Sequence, residues 1–255
     1  METTGYIDRS FYSTLAKIAL PLALQNLISF GVGLADNFMV GSLGDRALSG
    51  VLISNQVQWV FHMLCAGLSS ALVILAAQYI GKGDMKKAKI IIVISTKIAF
   101  VSGIFLTAAV FFFPRRIMGL FSEDAAVIAE AMKYIPIVCF SYVFFSLNNM
   151  LLASMRCIKN AKIGFYSSIT GFVVSVFFNW VLIFGNLGFP ALGVAGAAIS
   201  TLTARILEFT VSFLYMRLTD GVFSFNKKDI RLWDRLLLRD FIKYGMPVIL
   251  GSAFW

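Results

Sequence analysis

The sequence predicts an all-α, polytopic membrane protein: a six-helix transmembrane bundle followed by the start of a seventh helix. Three observations predict it. Of 255 residues, 59% are hydrophobic and 14% charged, against about a quarter charged in an ordinary soluble domain. Six apolar runs, 16–40, 48–80, 90–113, 134–155, 164–185 and 193–216, reach the roughly 20 residues that a bilayer span needs. The basic residues also alternate from loop to loop. Sixteen of the 22 Lys and Arg lie on the side of the N-terminus and the even loops, and four on the other. That bias makes the N-terminus cytoplasmic. The net charge of +9 is therefore an orientation signal, and no nucleic-acid partner is expected.

The first run begins near Leu15 and passes Val32. It exceeds the ~7–15 residues of a signal-peptide core, so it is expected to be a retained span. Pro21, Gln25, Ser29, Gly33 and Asp36 recur every three or four residues, which puts them on one helical face. Pro21 withholds a backbone donor and is the candidate hinge. The second run is long enough that it should tilt, kink or protrude. On it Asn55, Gln58, His62, Cys65 and Ser69 share a face. His62 reads as a packing residue, as do the three cysteines, which lack metal-ligand spacing. Lys97, in the third run, is expected to snorkel to the cytoplasm.

The segment 114–133, PRRIMGLFSEDAAVIAEAMK, is too polar to span. Pro114 should end the third helix, and Ser122, Glu123 and Asp124 should start a short amphipathic helix on the outer surface. In the fifth run Ser175 and Asn179 stand one turn apart. In the sixth, Thr201, Arg205, Glu208 and Ser212 share a face, with Arg205 and Glu208 spaced to neutralise each other.

Several spans with polar stripes suggest a bundle around a wet interior. Gln25, Ser29, Asn55 and Gln58 are the candidate cavity residues. Asp36 is the candidate coupling residue, able to exchange a proton or to bind a bare cation such as Na+ with neighbouring amide oxygens. No enzyme is expected. GKGD at 81–84 resembles an intramembrane protease motif, but its Asp84 lies in a basic loop, and neither HExxH nor a P-loop is present. No cofactor is expected beyond the coupling ion. KIALPLALQN at 17–26 and KYGMPVILGS at 243–252 repeat Lys and Pro at one spacing. Six spans separate them, so the two copies share an orientation, as in a parallel duplication.

ALPLALQN, DNFMVGSLGDRALSGV and AAQYIGKGD together resemble the first two spans of MATE (multidrug and toxic compound extrusion) transporters. NWVLIFGNLGFPALGVAGAAIST resembles their fifth and sixth spans. The resemblance implies the N-terminal lobe of a two-lobe fold: a lobe at 1–216, a cytoplasmic linker at 217–240, and the start of a truncated second lobe at 241–255. It implies a multi-pass bacterial inner-membrane antiporter. Such a protein exports organic cations or amphipathic drug-like compounds in exchange for Na+ or H+ by alternating access, with the bilayer and the missing C-terminal lobe as partners. It also implies ion-coupling roles for Asp36, Ser175 and Asn179, and bending at Pro21. Some branches carry Asn-x-x-x-Asp where this chain has Ser175 and Asn179, so Asp36 is the lone acid of the cluster. The alternatives are a lipid-linked oligosaccharide flippase of the same superfamily and a non-transporting membrane scaffold.

Overall fold

The computed structural model describes residues 9–158, 160, 162–219, 229 and 232–253. Among them there is no strand. Nine α-helices follow in order: α1 (Arg9–Gly41), α2 (Asp45–Gly81), α3 (Met85–Phe112), α4 (Pro114–Met118), α5 (Ala125–Val138), α6 (Ser141–Cys157), α7 (Lys162–Phe184), α8 (Val194–Thr219) and α9 (Arg235–Ala253). Five helices are long and apolar enough to cross a membrane, and six spans result when α5 and α6 are taken as one bent span. The chain is thus an all-α, polytopic membrane protein. Its outward faces are apolar: on α1 they include Leu27, Phe30, Leu34 and Phe38, the last 84% exposed. Such faces suit lipid. α2, with 37 residues, is about 55 Å long at 1.5 Å per residue, well beyond the ~30 Å hydrocarbon core.

Four apolar clusters hold the described residues of the bundle, the smallest joining α6, α7 and α8 through Leu152, Met155, Ile163 and Met216. Val40, Val51, Tyr134, Val138, Ile183 and Ala198 join α1, α2, α5, α7 and α8. Phe61, Val110, Ile135 and Tyr142 join α2, α3, α5 and α6. Leu72, Ile91, Met150 and Phe241 join α2, α3, α6 and α9. Close approach needs small residues: a Cβ on Gly50 of α2 would stand 2.7 Å from Glu130 Cβ and 2.8 Å from the Ala131 backbone nitrogen of α5.

The fourth span departs from the sequence expectation. It does not run straight from 134 to 155. It begins at Ala125, and its two arms meet at 53° around Cys139 and Phe140. Pro136, inside α5, gives no N–H to the preceding turn and loosens the helix there. The break is satisfied locally: the Cys139 carbonyl accepts from Thr107 Oγ1 at 2.8 Å and from the Tyr142 amide at 3.1 Å. Lipid offers no such partners, so they have to come from the protein.

The helix expected on the outer surface at 114–133 is two elements, α4 and the first arm of this bent span. Its start is where the acidic cluster indicated, for Asp124 Oδ1 accepts from the Ala126 amide at 2.8 Å. Within 114–133 Met118 and Ala131 are buried, and α5 runs on beyond that segment to bury Tyr134, Ile135 and Val138. An apolar face on a capped helix packs inward where Gly50 leaves room. α1 continues unbroken through Pro21. α9 starts at Arg235, earlier than the run expected from 241, and much of the expected linker (220–228, 230 and 231) lies outside the described residues.

The loop between α2 and α3 carries the N-cap of α3. Asp84 Oδ1 accepts from the Lys87 amide at 3.1 Å, and Lys87 Nζ stands 3.1 Å from Oδ2. The amide bond foremost, then the Lys87 side chain, holds the Asp84 carboxyl below its ordinary value. A depressed carboxyl stabilises the folded state above the ordinary carboxylate range and loses that contribution as pH falls through the lowered value.

Two outcomes are expected. Gly50→Val should cost about 1–3 kcal/mol by overpacking the α2–α5 contact, read as a lowered melting temperature in detergent; an unchanged melt would refute the close approach. Asp84→Ala should speed hydrogen exchange in the first turn of α3 at neutral pH. The difference from the parent should shrink as pH falls through the lowered value of the Asp84 carboxyl and the cap becomes protonated.

Candidate functional site

Asp36 sits about one and a half turns from the end of α1, and α7 packs along that helix. Ser175 and Asn179 lie one turn apart on α7, so both face α1. Ser175 Oγ donates to Asp36 Oδ1 at 2.9 Å, and Asn179 Nδ2 donates to the same oxygen. Both α7 residues are 1% exposed. The carboxylate is half-buried, and among the described residues it makes no ion pair. Two neutral donors therefore do the work that water would do in solution.

α8 supports this cluster from behind. Ser200 Oγ donates to the Ser175 carbonyl at 2.9 Å. The next residue, Thr201, shares a 3.4 Å hydrogen bond with the Tyr134 hydroxyl of α5. Four helices thus fix the position of one carboxylate. Asn179 Oδ1 is buried with no partner. A free amide oxygen beside a carboxylate and a hydroxyl is an all-oxygen set suited to a hard cation. The same carboxylate can instead carry a proton.

Of the sequence candidates, the structure brings together Asp36, Ser175 and Asn179. It does not gather the expected cavity residues around them. The Gln25 side chain lies against Gly164 at the opposite end of α7, where a Cβ would collide with it, and Gln25 Oε1 is buried without a partner. Ser29 is exposed on α1. Asn55 and Gln58 are half-buried on α2, with no hydrogen bond to the cluster. The reason is that helix faces diverge along their length: one stripe on α1 meets α7 at both ends, whereas the α2 stripe turns toward α5 and α6. Arg205 and Glu208 are paired as their spacing indicated, with Arg205 Nη1 donating to Glu208 Oε2 at 2.8 Å. Lys97 is half-buried: its Nζ donates to the Leu232 carbonyl at 3.2 Å and lies 5.3 Å from the Trp233 ring centre.

Sequence reasoning missed Ser200 and Tyr134. Ser200 adjoins the stripe that begins at Thr201, so a stripe widened by one residue would have included it. Nothing in the sequence marks Tyr134, which opens the fourth apolar run.

The molecule defined by these features is a polytopic α-helical membrane protein with one acid solvated by protein inside the bundle. The family model for MatE matches residues 21–181, more than half of the chain, and the chain belongs to that family. It is 28% identical over 194 residues to a probable multidrug resistance protein NorM of Thermotoga maritima, covering 76% of this chain and 42% of that relative. It is 26% identical over 234 residues to a probable multidrug resistance protein NorM of Rhizobium meliloti, covering 91% of this chain and 50% of the relative. A solved structure described as the outward-facing conformation of a multidrug resistance MATE family transporter of the MOP superfamily shares the fold. Its TM-score is 0.83 at 20% identity, over 94% of this chain and 52% of that one. The chain thus spans about half the length of the curated relatives it matches.

A double-mutant cycle on Asp36→Asn and Asn179→Ala should return a coupling energy of about 1.5–3 kcal/mol, the range for hydrogen bonds to a charged group. Detergent melts of the four proteins measure it. Strictly additive effects would mean that the two side chains do not meet.

Proposed function

We propose that this chain is the N-terminal lobe of a secondary active efflux transporter. It exports cationic or amphipathic drug-like molecules in exchange for Na+ or H+, by alternating access between this lobe and a second one. The observation that carries the reading is the Asp36 carboxylate held by Ser175 and Asn179. An acid kept inside a membrane bundle without a fixed cation against it has a vacancy for one mobile positive charge. The names of the relatives support the export of drugs, and family membership supports a transporter rather than an enzyme.

In this reading residues 1–216 form the lobe, 217–240 the linker and 241–255 the start of the second lobe, with α9 already helical from Arg235. The basic residues support a cytoplasmic N-terminus in a bacterial inner membrane. Lys82, Lys86, Lys87 and Lys89 fall at the α2–α3 junction, Arg156 and Lys162 at the α6–α7 junction, and Arg217 at the end of α8. Ion binding at Asp36 neutralises the cluster and permits α1 to change its bend near Pro21. Gln25, Ser29, Asn55 and Gln58 then meet substrate from faces that the second lobe closes. A flippase for pyrophosphate-linked lipids is less well supported, because its one candidate cation in the bundle, Arg205, is already paired with Glu208.

The full chain reconstituted in proteoliposomes tests this. Asp36→Asn should abolish the dependence of substrate flux on an imposed Na+ or pH gradient. Flux that kept its gradient dependence would remove Asp36 from coupling, and a parent protein with no substrate-dependent flux would favour a scaffold.

A further inference from the structure

One charged pair inside the bundle has no part in the function proposed so far. Arg205 and Glu208 form an ion pair within α8, with a single bond from Nη1 to Oε2 at 2.8 Å. The Glu208 side chain is largely buried, seated against Gly171 of α7, where a Cβ would collide with its carboxylate. Ser167 Oγ, one turn further along α7, approaches the Glu208 carbonyl at 3.4 Å. The Arg205 guanidinium lies over the Phe145 ring of α6, 5.3 Å from its centre, and its side chain keeps 27% exposure. The acid is therefore fixed and the base is the freer partner.

Two independent rulers place this pair next to Asp36. On α7, Gly171 touches Glu208 and Ser175, one turn on, touches Asp36. On α8, Arg205 stands one turn after Thr201, the neighbour of Ser200, which holds the Ser175 carbonyl. Helical side chains lean toward the N-terminus of their helix. The natural lean of Arg205 is thus over the turn that carries Thr201, toward Asp36. Charged and titratable groups lie within electrostatic range of the guanidinium on several helices: Asp36 on α1, His62 on α2, Tyr134 on α5 and Glu208 on α8 itself, the last in contact. α6 presents Phe145, and α7 presents neutral Ser175 and Gly171.

The charges of the three strongest groups sum to one negative when both acids are ionised. An arginine within a bilayer bundle has to keep an anionic partner, and here two carboxylates are available to it. We propose that Arg205 is a tethered competitor of the coupling ion: it shifts toward Asp36 when the ion leaves and is drawn back by Glu208 when the ion binds. Glu208 is then a positioning residue that sets how much ion is needed to displace the guanidinium. The net charge accommodates one monovalent cation or one proton per cycle, and with the ion absent the single guanidinium is shared between two carboxylates. This rests on the reading of Asp36 as the coupling acid.

The test uses the full chain in proteoliposomes, with substrate efflux measured across series of Na+ concentration and of pH. In Glu208→Gln the guanidinium loses its retaining acid and turns to Asp36. The ion concentration for half-maximal flux should rise by roughly tenfold or more, the effect of an opposite charge within a few ångströms of a carboxylate. Arg205→Gln combined with Glu208→Gln removes the competitor and its anchor together, and leaves two amides of nearly native shape. That double variant should need less ion than the parent, by about threefold for a competitor that is partly held off. An unchanged or raised requirement in the double variant overturns the proposal, and so does a Glu208→Gln shift that persists when Arg205 is also replaced. The double variant decides the matter even where Glu208→Gln alone does not fold. Asp36→Asn, run alongside, separates the two levels. If it retains ion dependence, Asp36 is not the coupling acid and both readings fall. If it loses ion dependence while the Arg205 and Glu208 variants do not move, only the competitor role falls.

Discussion

A carboxylate inside a membrane has to be solvated by something, and in this chain two neutral side chains of α7 do it. The bonds from Ser175 and Asn179 to Asp36 tie the first span to the fifth. Ser200 ties the fifth to the sixth through the Ser175 carbonyl. Remove the acid and the polar positions on three helices lose their common focus. The apolar cluster of Val40, Val51, Tyr134, Ile183 and Ala198 packs around this polar knot and keeps lipid away from it. Packing and polarity therefore specify the same helix arrangement, which is the consistency expected of a sequence with a single stable fold.

Much of this was legible from spacing. Asp36, Ser29 and Gln25 fall at helical intervals, as do Ser175 and Asn179, and their facing across α1 and α7 follows once those helices are neighbours. Hydropathy alone gives the spans, because a bilayer demands a length that few other environments demand. The break in the fourth span was not legible. Pro136 sits in an apolar run that reads the same whether the helix bends there or continues, and the donor that stabilises the break, Thr107, comes from another helix. The position of α5 was likewise hidden, since an amphipathic helix suits a water–lipid surface or a protein interior equally until Gly50 is seen to admit it. Nor does a polar stripe reveal which neighbour it meets: Gln25 shares a face with Asp36 but lies beside Gly164, far from Asn179.

Asp36 and Glu208 are solved differently. Asp36 is given neutral donors and no fixed cation, which leaves its charge open to change. Glu208 is given Arg205 and a tight seat against Gly171, which fixes it. A pair on adjacent turns of one helix needs little tertiary support to form, so α8 can carry its own neutralised charge into the membrane. The polar knot above it is assembled only when the spans meet.

The packing of α9 bears on how the protein is made. Leu237 and Phe241 are almost fully buried in the cluster that includes Leu72, Ile91 and Met150, and Lys97 finds its acceptor at Leu232. These residues follow all six spans in the chain. During synthesis the parts of α2 and α3 that pack on α9 therefore wait, with an apolar groove unfilled and an ammonium group without its carbonyl, until the ribosome has passed residue 241. The six-span bundle is complete in sequence well before it is complete in space, and its last seam is closed by α9.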